Sequence, residues 1–508
     1  MLQTVASRGV QFASEVVLAW WISKRDFGLR SDALTVLAFA TLLQDYGVNQ
    51  VLIHRQQRLA RWANPAFWLS LVIGLVGGVI LAMAAPLVAR AFGATALTGM
   101  ILILALRSPL NALGTISYAK LQADLRYKAL SAVGFLVVCV TAIASIILAW
   151  NGFGAYAFIW PLLIAAVARS AMLWALAPPR LQWKLQVRRW KYLIGQSGML
   201  LVASVLFTLT SQGDYMTLGV LYHTKTGPAP LVGVYFFGFM LCVQTTQFIT
   251  SNLANVLLPT FSKLQHEPER LKKAFLRATQ MLAIIGVFVC LLQAAVAAPM
   301  IQAILRVKGD ADKWVPAVPI LKVISLAMAL QLFNMPAQSL IQAQGRFFTL
   351  LKVSIICPIL FFSLIWLAAA TGSRPDGQIR WAALHDLLFH VFNQPVDVSV
   401  VVAIGVAIYC AIIGPICLYV AIRPVGGMWR DIWPIYLRPV ATSLLAIFVG
   451  MAVGHPLPHT PLGNWGKLLL VPTVSVMAYL PMAWLTAPAA CRELWTRIHG
   501  LIHRRSAS

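Results

Sequence analysis

The chain has 508 residues, 60% of them apolar and only 11% charged, with a formal net charge of +25. Soluble domains carry charge on roughly a quarter of their residues, so this composition excludes an ordinary soluble globular protein. Reading the basic excess as a nucleic-acid footprint would require a soluble basic face, and no segment offers one.

Apolar runs recur along almost the whole sequence. A helical bilayer crossing takes ~20 apolar residues, and hydrogen bonding in lipid admits only helices or closed barrels. The runs are too long and too evenly apolar for the alternating strands of a barrel. The sequence therefore predicts an all-α polytopic membrane protein. In chain order the crossings fall near 5–23, 31–53, 65–90, 97–119, 129–150, 155–177, 193–219, 229–258, 274–300, 315–341, 347–371, 397–421, 432–454 and 466–488. Some exceed the bilayer core, which implies tilt or extension into water. Pro109, Pro161, Pro336, Pro358 and Pro415 interrupt them, and each permits a kink by removing an intrahelical hydrogen bond.

The basic residues alternate between loops. Of the 40 Lys and Arg, 24 fall on one set of loops, from Arg55, Arg58 and Arg61 through Lys272 and Lys273 to Arg504 and Arg505. Eleven fall on the opposite set, including Lys24, Arg25, Arg30 and Arg380, and five lie within the apolar stretches. The positive-inside rule puts the richer set, and with it both termini, in the cytoplasm. This requires an even number of crossings, which fourteen satisfies. The first stretch begins within ten residues of Met1, flanked inside only by Arg8, so no cleaved leader is expected.

Seven cysteines are dispersed without CxxC or Cys/His spacing, so neither a disulfide framework nor a metal site is expected, nor any cofactor. The largest outer loop, 372–396, holds WAALHDLLFHVF (381–392). That segment reads either as a helix lying along the outer interface or as a mobile connector. His385 and His390 there are five apart and do not share a helical face.

Two short echoes suggest duplication. MAAPLVARAFG (83–93) is matched by VAAPMIQAILR (296–306), and LQADLR (121–126) by IQAQGR (341–346). Both pairs are offset by six crossings, which predicts two six-helix lobes related by an axis along the membrane normal. The expected organisation is an N-terminal lobe with its linker over 1–190, a second lobe over 191–425 carrying the 372–396 insertion, and two extra helices with a basic tail over 426–508.

Ionisable residues inside a membrane cost about 2.5–3.5 kcal/mol each on insertion scales, so those present are candidates for function. Arg8 and Arg438 lie near inner ends and can snorkel. Arg107 lies deep in the fourth crossing, Arg169 in the sixth and Lys322 in the outer part of the tenth. Together they could form a cationic site for an anionic group such as a diphosphate, a task that suits Arg by bidentate hydrogen bonding. Glu15, Asp45 and Asp214 are the corresponding acids. They serve either as structural partners of these cations or as groups that couple transport to protons.

AWWISKRDFGL (19–29), DYGVNQVLIHR (45–55) and NPAFWLSLVIGL (64–75) resemble the opening of Wzx-type polysaccharide flippases. These belong to the multidrug/oligosaccharidyl-lipid/polysaccharide exporter superfamily. GDYMTLG (213–219), VGVYFFG (232–238) and NVLLPTFSKLQHEPERLKKAFLR (255–277) resemble the start of that family's second half, and WVPAVPILKVISLA (314–327) its tenth-helix region. The resemblance covers roughly 15–350 and is nearest to exporters of exopolysaccharide or lipopolysaccharide. It implies fourteen helices in two lobes plus two, alternating access around a cationic cavity, and an undecaprenyl-diphosphate-linked oligosaccharide as substrate. Membrane lipids and a polysaccharide polymerase with its export machinery would be its partners. The family supplies no catalytic motif, so no enzyme is expected.

Two other readings are weighed against this one. The nearer one is a drug exporter or a peptidoglycan-precursor flippase of the same superfamily; a drug-cation exporter would favour an acidic cavity, whereas the deepest charge here is Arg107. A membrane glycosyltransferase or polymerase would present acidic residues or a large catalytic loop, and the first outer loop, KRDFGLRSD, has no DxD.

Overall fold

The computed structural model describes residues 2–44, 59–124, 126–179, 182, 190, 198–224, 227–250, 254–305, 313–373, 376–394, 396–456, 458 and 460–486. They form α1 (Leu2–Trp21), α2 (Lys24–Gln44), α3 (Leu59–Ala91), α4 (Thr95–Ala123), α5 (Tyr127–Trp150), α6 (Tyr156–Leu176), α7 (Gly198–Leu221), α8 (Pro230–Thr250) and α9 (Ala254–Lys263). The chain continues through α10 (Pro268–Ala295), α11 (Ala297–Leu305), α12 (Ala317–Gln331), α13 (Asn334–Ala343), α14 (Phe347–Ala369), α15 (Ala382–Phe392), α16 (Val398–Ile422), α17 (Trp429–Gly454) and α18 (Pro461–Thr486). A two-residue hairpin pairs His223–Thr224 with Gly227–Pro228 between α7 and α8.

Among the described residues, ten helical spans are long and apolar enough to cross a membrane. The tenth expected stretch is one of them, covered by α12 and α13 with a break at Leu332–Phe333. Pro336 falls in the first turn of α13, where a missing N–H costs nothing. The four expected stretches outside these ten coincide with α1, α2, α7 and α8, which are 20, 21, 24 and 21 residues long. Ten plus four is compatible with fourteen crossings. The protein is an all-α, multi-pass membrane protein.

One boundary differs from expectation. The second crossing was placed from 31, with KRDFGLRSD as an outer loop, yet α2 begins at Lys24. Ser23 starts the helix: the Asp26 backbone N–H donates to its Oγ at 3.1 Å, and that hydroxyl donates to the Asp26 carboxylate at 2.6 Å. This is the N-terminal capping arrangement of a Ser-x-x-acid sequence. Lys24, Arg25 and Arg30 are therefore helical residues, not loop cations.

The helices pack into two compact units, Met1–Phe236 with Gly372–Arg380, and Phe237–Thr371 with Trp381–Ser508. In the first, Ala33, Leu97, Met100, Ile101 and Ile159 are fully buried between α2, α3, α4 and α6. Side-chain hydrogen bonds to main-chain carbonyls join its helices: Ser108 Oγ donates to Gly74 O at 2.6 Å and Ser170 Oγ to Leu110 O at 2.7 Å. In the second unit α17 and α18 pack against each other and onto α10 and α11, and the Tyr479 hydroxyl donates to Ile284 O at 2.7 Å. Such bonds hold helices together where apolar burial gives little net drive. The boundary between units, at Phe236, is a packing boundary. It is a different quantity from the duplication boundary expected at 190, which stays a proposal.

The second echo has a structural counterpart in each unit. α4 ends with Arg126 N–H donating to Leu121 O, and α13 with Arg346 N–H donating to Ile341 O, at 2.9 and 3.1 Å. Both arginines then act as N-caps of the next helix with nearly equal backbone angles, φ −79° and ψ 53° against φ −85° and ψ 53°. Each guanidinium donates to a carbonyl at the C-terminal end of the second long helix further on, the short α15 intervening in the case of Arg346. Arg126 reaches Leu176 O of α6 at 3.4 Å, and Arg346 reaches Val420 O of α16 at 3.0 Å. Cations favour that helix end.

Candidate functional site

Arg107 and Arg169 both lie in the first unit, half-buried on α4 and α6. These two helices run side by side, joined by the Ser170–Leu110 bond and by Trp174 Nε1 donating to Leu113 O at 2.7 Å. The Arg169 guanidinium lies 5.4 Å from the ring centre of Tyr118, within range of a cation–π contact. Tyr118 is eleven residues beyond Arg107 on α4, about 16 Å along a helix axis. The two arginines thus occupy different depths of one helix pair. Lys322 belongs to the second unit, half-buried on α12 next to the fully buried Leu321.

Of the acids, Asp45 lies outside the described residues. Glu15 is 5% exposed on α1 and forms a two-point ion pair with Arg30 of α2, with both N···O distances 2.5 Å. The Arg30 guanidinium also lies 4.2, 5.4 and 5.9 Å from the ring centres of Phe158, Phe236 and Phe27. Asp214 is buried on α7 and accepts a hydrogen bond from the Tyr235 hydroxyl at 2.6 Å.

Sequence reasoning missed two charged residues, Arg30 and Asp32, because both fell in the supposed outer loop. Asp32 is fully buried on α2, and among the described residues neither carboxylate oxygen has a hydrogen-bond partner. It faces α7, where a Cβ on Gly219 would stand 2.4 Å from Asp32 Oδ1. One turn on, the Thr35 hydroxyl reaches Gln212 Oε1 of α7 at 3.5 Å. The signal that would have found them is Ser23-x-x-Asp26, which starts the helix seven residues earlier.

An apolar cavity of about 380 Å³ opens beside this pair of helices, lined by Phe39, Leu81, Val88, Phe92, Leu209 and Met216 among others. Its walls bear no charge, so it is a poor host for a diphosphate and a better one for hydrocarbon.

The fold is that of membrane transporters. The inward closed conformation of the lipid II flippase MurJ superposes with a TM-score of 0.69, covering 95% of this chain and 98% of that one at 12% identity. An inward-facing multidrug resistance MATE family transporter of the MOP superfamily gives 0.63, covering 82% and 94% at 15% identity.

The sequence profile of the polysaccharide biosynthesis protein family matches residues 17–319, and the chain belongs to that family. It is 22% identical to the succinoglycan biosynthesis transport protein ExoT of Rhizobium meliloti (strain 1021), over 97% of this chain and 93% of that protein. It is also 22% identical to the lipopolysaccharide biosynthesis protein WzxC of Escherichia coli (strain K12), over 77% of each. The resemblance to Wzx-type exporters, drawn from short sequence segments, is thus borne out, and the first of these relatives is a transport protein by name.

Proposed function

We propose that this protein moves undecaprenyl-diphosphate-linked oligosaccharide repeat units from the cytoplasmic to the periplasmic leaflet, for exopolysaccharide or lipopolysaccharide biosynthesis. The observation that carries the reading is the near full-length similarity to a succinoglycan biosynthesis transport protein, joined to family membership. The mechanism is alternating access of the two lobes around a cavity whose cations receive the diphosphate. Arg107 is the primary candidate, because it lies deep in the fourth crossing and a guanidinium can grip a phosphate with two parallel hydrogen bonds. Arg169 and Lys322 are secondary candidates, with Arg169 already turned toward Tyr118. Both termini face the cytoplasm in this reading, and a polymerase and export machinery take over the delivered units.

Deleting the gene tests the assignment. The expected result is a lipid-linked oligosaccharide accumulating in the cytoplasmic leaflet, whose mass spectrum identifies the sugar. Unchanged lipid-linked pools together with unchanged surface polysaccharide would overturn it.

A further inference from the structure

The chain between α14 and α16 forms the eleven-residue helix α15, about 16 Å long. At 100° per residue three arcs of its surface differ in exposure, and between the first and third of them lie half-buried His385 and the exposed Phe389. Leu388 is 6% exposed, and Leu384 and Phe392 are half-buried, so this arc packs against the protein. A second arc, Leu387 and Val391, is apolar yet 59% and 65% exposed. The third arc holds Asp386 and His390, both exposed.

The position of the helix is constrained mainly from its C-terminal side. α14 and α16 are each long and apolar enough to span a membrane, and α15 joins the end of one to the start of the other. Only residues 393–397 separate it from α16, a reach of at most about 18 Å. Asn393 closes the helix in the left-handed conformation, φ 51°, with its N–H donating to Phe389 O at 2.7 Å, so the exit direction is fixed. Trp381, 64% exposed, stands at the entry. Tryptophan favours the headgroup level of bilayers.

We propose that α15 is a membrane-surface helix, with its Leu387–Val391 arc seated among the headgroups and upper acyl chains of the leaflet at which α14 ends and α16 begins. A buried arc beside an exposed apolar arc, with Asp386 and His390 next to it, is the pattern of a helix that meets protein, lipid and water at once. The lipid surface is the occupant that the geometry selects, because the five-residue link to α16 holds the helix within reach of the point where a candidate membrane span begins. This inference stands independently of the transported substrate and of which leaflet is concerned.

The test places spin labels on the full-length, cysteine-free protein in phospholipid vesicles. Leu387→Cys and Val391→Cys should be relaxed several-fold more by lipid-soluble oxygen than by a water-soluble nickel chelate, and Asp386→Cys should show the reverse. Preference for the nickel chelate at 387 and 391 would overturn the proposal, as would protection from both agents, which would indicate a protein partner. A photo-crosslinking amino acid at 387 in the otherwise unaltered chain gives a second readout. A phospholipid adduct at 387 and none at 386 is expected; equal labelling at the two positions would also overturn the proposal.

Discussion

The Arg30 guanidinium grips the Glu15 carboxylate through two parallel hydrogen bonds, joining α2 to α1 with both side chains almost wholly buried. A bidentate pair of this kind satisfies both charges at once. Removing one partner leaves the other buried and uncompensated, which costs about 3–5 kcal/mol. Glu15→Gln and Arg30→Ala should each lower the thermal unfolding temperature of the detergent-solubilised protein clearly. The double variant Glu15→Gln/Arg30→Met should lose less than the sum of the single losses. Additive losses would show that the two residues act separately. This pairing supports a structural role for Glu15 over proton coupling, so transport by Glu15→Gln per folded molecule should stay near wild type.

Asp32 presents the opposite case, a fully buried carboxylate with no hydrogen-bond partner among the described residues. Burying such a group without a donor is unfavourable. Asp32→Asn should therefore leave the unfolding temperature unchanged or raise it. A marked fall would mean that the carboxylate has a stabilising partner in the membrane.

Gly233, near the start of α8, admits no side chain: a Cβ there would stand 1.7 Å from the Lys24 carbonyl oxygen and 3.0 Å from Gly28 N. Backbone cannot swing aside as a flexible side chain can. Gly233→Ala should cost about 1–3 kcal/mol or more through overpacking, visible as reduced folded yield and thermal stability. A wild-type unfolding temperature would contradict the close approach of α2 and α8.

The fourteen apolar stretches were legible because hydropathy over ~20 residues is a long-range average, and every one of them overlaps a described helix. The break between α12 and α13, and the early start of α2, were not read, because each depends on one or two residues at an end. The capping signal at Ser23 was present in the sequence but was outweighed by the charge of the segment that follows. Arg30 was counted with loop cations for the same reason. Its partner could not have been named, since an ion pair fifteen residues apart across two helices depends on how α1 packs. The similar turns at Arg126 and Arg346 coincide with six-residue echoes in the sequence, while the shared reach of both arginines to a helix C-terminus is a property of the packing.

Topology provides a separate check. A reporter fused near Lys272 should behave as cytoplasmic and one near Asp376 as periplasmic, as the Lys and Arg bias requires. The Lys272 ammonium lies 2.9 Å from Asp431, and both side chains are partly exposed. Asp431→Asn should therefore change stability by only ~0–1 kcal/mol, and a large loss would place that pair in a drier setting than its exposure indicates.

The most direct measurement reconstitutes the purified protein in vesicles with a fluorescent undecaprenyl-diphosphate-linked oligosaccharide and follows its appearance in the opposite leaflet. The predicted result is transfer well above protein-free vesicles. Arg107→Ala should insert normally and slow transfer about tenfold or more, the effect of losing ~1.5–3 kcal/mol of charge-assisted hydrogen bonding, with partial recovery in Arg107→Lys. Transfer no faster than in empty vesicles would contradict the flippase assignment. Wild-type transfer by Arg107→Ala would remove Arg107 from the substrate site and leave the assignment standing.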